Sequence, residues 1–173
     1  MVKEIFRNYD IRGVYGKTLV DEDAYLIGRA FGSELAGRGA KTCAVGYDNR
    51  LSSTALYAKY KVGLLDSGID VIELGECLTP LVKFYVYEKG LDAGTSLTAS
   101  HNSAEYNGFK LMLKDAQPFF GDEIVGLYDR AISKKFVDGA GRVVAGDDLS
   151  DLYAKFLAER FDFKGKGFKV ALN

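Results

Sequence analysis

The chain has 173 residues, 47% of them hydrophobic and 27% charged, with a formal net charge of −1. This balance suits a folded globular domain and offers no general basic field for nucleic acid. No apolar run approaches a membrane span, and MVKEIFRNYD is not a signal peptide. Cys43 and Cys77 lie too far from a second Cys or His to suggest zinc. Cys43 reads as a small core residue, and a cytoplasmic, reducing location is expected.

Residues 1 to 16, with YDIRGVYG, read as a short extended piece and a turn. Asp21 is expected to cap a helix running to about Gly37, with Ala24, Ile27, Phe31 and Leu35 on one face and Gly37 and Gly39 as a stop. TCAVGY, 42 to 47, reads as a buried strand. Ser52 or Ser53 is expected to cap the next helix, which ends near Gly68. A second strand over 69 to 74 and a helix from Pro80 to about Lys89 follow. AGTSLTAS, 93 to 100, is expected as a third strand closed by Ser100, and GFKLML, 108 to 113, as a fourth.

Strands alternating with helices predict an α/β fold: a layered sheet of about four strands, mostly parallel with some antiparallel pairing, helices on both faces. A further helix is expected over 121 to 134, then a linker with a short extended piece over 136 to 148. An amphipathic helix follows over 149 to 161, where Leu149, Leu152, Tyr153, Phe156 and Leu157 share a face. FKVALN, 168 to 173, reads as the start of a new strand.

The chemistry gathers in TASHNSAEYNGFK, 98 to 110, which holds the sole histidine, His101, beside Ser100. In open α/β sheets, ligand sites lie just beyond the carboxyl ends of the strands. Adjacent Ser and His side chains usually point apart. There is no second histidine and no Gly-x-Ser-x-Gly elbow, so a triad hydrolase is disfavoured. A phosphorylated serine accounts better for the surroundings, because it carries close to two negative charges and needs cations and donors. Lys110 offers a point charge and Arg12 a planar fork, while Asn102, Asn107 and the Gly108 amide could orient the loop. The same residues also fit an ordinary turn, with Asn107-Gly108 as a hairpin signal.

This loop resembles the phosphoserine loop of the α-D-phosphohexomutases, the phosphomannomutase and phosphoglucomutase superfamily: Thr-Ala-Ser-His-Asn-Pro, a spacer, then Tyr-Asn-Gly-Phe-Lys. FRNYDIRG, 6 to 13, and VGYDNRLSS, 45 to 53, followed by GLLDSGIDVIELGECLTP, are similar to further family segments in the same order. Ser103 stands where the family usually has proline, which would stiffen the turn. The resemblance implies that Ser100 is the phosphoserine of a mutase that interconverts hexose 1-phosphate and hexose 6-phosphate, of mannose or glucose. A bisphosphate intermediate would carry the exchange. It implies Mg2+ bound partly through the Ser100 phosphate, and hexose 1,6-bisphosphate as activator. His101 and Lys110 match positions suspected of acid–base work, with loop-orienting and phosphate-holding roles as alternatives. Arg12 and Tyr9 match residues that face the phosphoserine and substrate, with a packed aromatic as the alternative for Tyr9. Asp48, Arg50 and Ser52 also match a family motif but read as structural, satisfying loop carbonyls and capping a helix.

On the same resemblance, residues 1–135 are the phosphoserine-bearing first domain, 136–165 a linker and helix, and 166–173 the first strand of a second domain. The metal loop, the sugar loop and the distal phosphate loop belong to domains normally in the same chain. GDDLSD, 146 to 151, has the wrong spacing for the metal loop and reads as a solvated helix start. The expected partner is a phosphosugar, not nucleic acid or membrane, and the chain alone is expected to be inactive. A mutase-derived domain kept only for binding or scaffolding is the competing reading.

Overall fold

A computed structural model describes residues 1–162, 167 and 169–171. The elements in chain order are β1 (Ile11–Val14), α1 (Asp21–Gly37), β2 (Thr42–Tyr47), α2 (Ser53–Leu65), β3 (Asp70–Glu76), α3 (Thr79–Lys89) and β4 (Ala93–Leu97). Then come β5 (Tyr106–Leu113), α4 (Asp122–Ser133), β6 (Val143–Ala145) and α5 (Leu149–Arg160). The strand expected over 166–173 lies outside the described residues, apart from 167 and 169–171, which carry no strand.

The strands form one sheet in the order β1-β5-β4-β2-β3-β6. β4, β2, β3 and β6 run parallel, while β5 is antiparallel to both β4 and β1. The four strands legible in the sequence form the middle. The two edges come from the segments read as extended pieces, 11–14 and 143–145. Short edge strands present few unpaired backbone groups to other chains.

Strand alternation divides the core in two. Cys43 and Val45 of β2, and Phe109 and Leu111 of β5, pack with Ile27, Phe31, Leu56, Tyr60, Ile124 and Leu127 from α1, α2 and α4. Ala44 and Met112 join Val82 and Val86 of α3 and Leu149 of α5 in the second cluster. Helices therefore cover both faces. The central parallel strands β2 and β4 are buried on two sides, which accounts for their near-continuous apolar or small residues.

Helix ends match turn chemistry more than side-chain caps. After α1, Gly39 takes φ +79°, Gly39 N–H donates to Ala36 O, and Ala40 N–H donates to Leu35 O, both at 3.0 Å. That left-handed residue satisfies the last carbonyls and turns the chain into β2. Asp21 does not cap α1: it is the first helical residue, and its carboxylate accepts from Tyr15 Oη at 3.0 Å. Val20 occupies the cap position, and its N–H donates to Asp23 Oδ2 at 3.1 Å.

Helices α1 and α2 pack with little between their backbones. A β-carbon on Gly28 would lie 2.3 Å from Tyr60 O, and one on Gly63 would lie 2.3 Å from Tyr25 O. This close approach fixes α2 on the sheet, and with it the loop that carries Asp48 and Arg50 towards the site.

Candidate functional site

The parallel strands end on one edge of the sheet, where the loops after β2, β3 and β4 gather. β4 stops at Leu97, so Ser100 does not close the strand but sits three residues beyond it in a turn. The departure is local: Ser100 takes φ +54°, a left-handed conformation that a serine rarely adopts. Its N–H donates to Thr98 Oγ1 at 2.8 Å, and Asn102 N–H donates to Ala99 O at 3.1 Å. The Ser100 side chain is presented to solvent on a fixed turn.

The turn is gripped from below by Arg50. Its Nη1 donates to the carbonyls of Ser103 at 2.6 Å and Tyr106 at 3.0 Å. Its Nη2 donates to those of Ser100 at 3.1 Å and Asn102 at 2.7 Å. Its Nε donates to Asp48 Oδ2 at 3.0 Å, and Asp48 Oδ1 accepts from Ser53 Oγ at 2.6 Å. Arg50 does satisfy loop carbonyls. Ser52 differs from its expected capping role: its backbone is already helical and its hydroxyl makes no cap bond. It accepts instead from Asn107 Nδ2 at 2.9 Å, while Ser53 Oγ accepts from the same amide at 3.0 Å. Asn107 lies inside β5, not in a hairpin turn, and its Oδ1 accepts from Gly108 N–H at 2.8 Å.

A second cluster lies on β1 and β5. The buried Arg12 donates through Nη1 to Asn102 Oδ1 and through Nη2 to Asp10 Oδ2. Lys110 Nζ stands 3.5 Å from the same Asp10 oxygen. Arg12 Nε is buried with no hydrogen-bond partner among the described residues. The structure thus joins three of the expected residues: Arg12 and Lys110 meet at Asp10, and Asn102 joins them through Arg12. Asp10 was not singled out from the sequence. Its signal was its place two residues before Arg12, which puts both side chains on one face of an extended segment.

Tyr9 and His101 stand apart from this cluster. Tyr9 is 71% exposed and stacks on Phe120, with ring centroids 6.2 Å apart, so it is not a packed core aromatic. His101 is exposed, and no acidic group is paired with it among the described residues. No Ser–His–acid relay is present there. Burial pushes the Cys77 thiol up to about 11, which leaves little thiolate near neutral pH.

A cleft of about 1220 Å³ opens beside the loop, and Thr98, Ser100, Asn102, Glu76, Asp147 and Asp148 are among its lining residues. Of its charged lining residues Asp48, Glu76, Asp147 and Asp148 are acidic and Arg50 is basic, whereas Arg12 and Lys110 do not line it. A phosphate suits the side of the loop carrying Arg12 and Lys110 better than this cleft, on charge alone. The acidic run 146 to 151 is engaged in local structure: Asp147 Oδ2 accepts from Tyr85 Oη at 2.8 Å and pairs with Lys89 Nζ at 2.9 Å. Asp148 caps α5 through Ser150 N–H at 2.9 Å and Asp151 N–H at 3.1 Å. Among the described residues, no three His, Cys, Asp or Glu side chains converge to hold a metal ion. None of the described helices is long and apolar enough to cross a membrane.

A serine held in strained backbone on a loop clamped by arginine, beside a buried arginine and a lysine, defines a domain built around one exposed hydroxyl. Comparison with known proteins names the class. The α/β/α domain I of phosphoglucomutase/phosphomannomutase matches residues 3–138. The phosphoglucomutase of Neisseria meningitidis serogroup B is 38% identical over 166 residues, which are 95% of this chain and 36% of that protein. The phosphomannomutase/phosphoglucomutase of Pseudomonas aeruginosa is 41% identical over 145 residues, 84% of this chain and 31% of that protein. The crystal structure of a phosphoglucomutase/phosphomannomutase family protein from Burkholderia thailandensis superposes with a TM-score of 0.86 at 36% identity. It covers 92% of this chain and 36% of that one. The chain belongs to the phosphoglucomutase/phosphomannomutase family and corresponds to its first domain. It spans about a third of the length of the relatives it matches.

Proposed function

We propose that Ser100 is the phosphoryl carrier of a phosphohexomutase that interconverts hexose 1-phosphate and hexose 6-phosphate of glucose or mannose. The observation that carries this reading is the combination at the loop: an exposed Ser100 held at φ +54°, and a buried Arg12 anchored to Asn102 of the same loop. Among the described residues Arg12 Nε has no hydrogen-bond partner, and the guanidinium places a buried positive charge against the loop. Lys110, on the neighbouring strand, supplies a second positive charge. Phosphoryl transfer asks a protein mainly for positioning and charge stabilisation, and a fixed hydroxyl beside cations meets both needs.

In the proposed cycle Ser100 gives its phosphoryl group to the sugar monophosphate, forming hexose 1,6-bisphosphate. The sugar then turns over and returns its other phosphoryl group to Ser100. Tyr9 faces the sugar, and His101 or Lys110 exchanges the hydroxyl proton. Asn102 and Asn107 orient the loop. Mg2+ is part of the proposal, with the Ser100 phosphate as one ligand. Among the described residues no carboxylates converge to cage the ion. The remaining metal, sugar and distal phosphate contacts are assigned to further domains of the same polypeptide. Residues 1–135 are then the phosphoserine domain, 136–165 the connection, and 166–173 the entry to the second domain. A cytoplasmic location goes with phosphosugar metabolism.

Replacing Ser100 with alanine in the full-length protein tests the assignment, because it deletes the acceptor hydroxyl and leaves the bonds that residue 100 makes through its own N–H and carbonyl. Turnover of glucose 1-phosphate or mannose 1-phosphate is expected to fall to background. Activity close to that of the parent protein overturns the reading. The 173-residue chain alone is expected to show no measurable mutase turnover, and turnover by it would contradict the division of labour among domains.

A further inference from the structure

Arg50 looks at first like one more cation available to the serine loop. Its bonding excludes that use. A guanidinium carries five N–H donors in a fixed fork. Arg50 spends them on five acceptors: Asp48 Oδ2, and the carbonyl oxygens of Ser100, Asn102, Ser103 and Tyr106. Its side chain is 12% exposed, and its charge is matched by Asp48 3.0 Å away. No donor remains for a phosphate. Three of the carbonyls belong to the loop that includes the strained Ser100 and the fourth to Tyr106, the first residue of β5, so the fork fixes the direction in which Ser100 projects.

The clamp is anchored at its other end. Asp48 takes the Ser53 hydroxyl at 2.6 Å, and Ser53 and Ser52 accept from Asn107, the residue that follows the gripped Tyr106. The start of α2 therefore holds both ends of the loop. From this we infer that Arg50 is a positioning residue: it sets the orientation of the Ser100 side chain through the loop carbonyls and does not bind the phosphoryl group. The inference rests on the phosphoserine reading above and assigns the geometry that reading requires. Lysine cannot replace Arg50 in this role, because one ammonium cannot span four carbonyls and a carboxylate.

The test uses phosphoserine installed at Ser100 by genetic code expansion, so it does not depend on whether the enzyme phosphorylates itself. The 31P resonance of that group is compared in the parent chain, Arg50→Lys and Arg50→Gln. Amide exchange at Asn102 and Tyr106 is followed alongside that of the β4 and β5 core. The parent should show a 31P shift distinct from that of a phosphoserine peptide with the loop sequence. In Arg50→Lys the shift should move to the peptide value, although the charge is kept. Exchange at Asn102 and Tyr106 should rise by about tenfold or more as the loop opens locally, with the core amides unmoved. A 31P shift unchanged in Arg50→Lys overturns the inference. So does a parent resonance that already equals the peptide value. Loss of the whole fold in both variants makes Arg50 a general stability residue and overturns it too. A positive result combined with an active Ser100→Ala protein would instead remove the phosphoserine reading and leave the clamp standing.

Discussion

Lys110 Nζ stands 3.5 Å from Asp10 Oδ2, the same oxygen that accepts from Arg12. One buried carboxylate thus holds two cations of neighbouring strands at fixed places. Removing it leaves the buried Arg12 charge without its counter-ion. Asp10→Ala is expected to destabilise the domain by about 3 kcal/mol, the cost typical of breaking a buried pair on one side. Asp10→Asn, which keeps a hydrogen-bond acceptor, should cost less. Urea unfolding followed by circular dichroism measures both, and equal stability of Asp10→Ala and parent would show that the pair is not structural.

Strain at Ser100 is measurable by comparing two substitutions at the same site. Ser100→Gly should be more stable than Ser100→Ala by about 1 kcal/mol, because glycine takes φ +54° without the β-carbon clash. Neither variant loses a backbone bond of the turn. If alanine proves as stable as glycine, the loop has relaxed out of the left-handed region in solution.

Helix packing gives a larger effect. An alanine at Gly28 gains about 1 kcal/mol of helix propensity but must push against Tyr60 O at 2.3 Å. Overpacking costs of about 1–3 kcal/mol are usual and should exceed that gain. Gly28→Ala and Gly63→Ala should therefore each lower the urea midpoint. A raised midpoint in either would mean that α1 and α2 separate at little cost.

Acid sensitivity should concentrate at Asp92, which joins the starts of β2 and β4. Its Oδ2 accepts from Lys41 N–H at 2.8 Å, Thr42 N–H at 3.0 Å and Thr42 Oγ1 at 2.9 Å. Burial alone would raise its pKa, but these bonds outweigh burial and hold it below the ordinary carboxylate value. A depressed folded value means the stabilisation is complete above the unfolded pKa, about 3.9, and is lost as pH falls through the folded one. Asp92→Asn should cost about 1 kcal/mol at pH 7, with the gap closing as pH falls through the depressed folded value. A difference that is constant with pH would assign the effect to shape, not charge.

Much of the fold was legible because its signals are local. The apolar spacing of Ala24, Ile27, Phe31 and Leu35, all fully buried, fixes the inner face of α1. The apolar run TCAVGY is β2 residue for residue. The edges were harder to read, since β6 is three exposed residues whose strand character comes only from pairing with Val71, Ile72 and Glu73. The end of β4 is not legible in the same way, because Thr98 and Ala99 are buried like strand residues although the strand stops at Leu97.

The site was legible in its residue types and less so in its wiring. Ser100, Arg12, Asn102 and Lys110 stand out as chemistry-bearing side chains, and three of them join one cluster. Arg12 and Lys110 meet at Asp10 and Asn102 bonds Arg12, so the cluster is assembled from residues about 90 to 100 positions apart. Arg50 could be read as a loop anchor, but its four carbonyl partners lie 50 to 56 residues away, beyond any periodicity. Long-range pairing of this kind depends on the sheet order, which places β5 between β1 and β4.

The central claim is that Ser100 carries the phosphoryl group. Its most direct test is to purify the full-length protein from its natural host, treat it with hexose 1,6-bisphosphate, and locate covalent phosphate by tandem mass spectrometry. The account predicts phosphate on the peptide containing Ser100, at that residue, removed on incubation with hexose monophosphate. Phosphate on another residue, or none in a protein that turns over hexose phosphate, would contradict it.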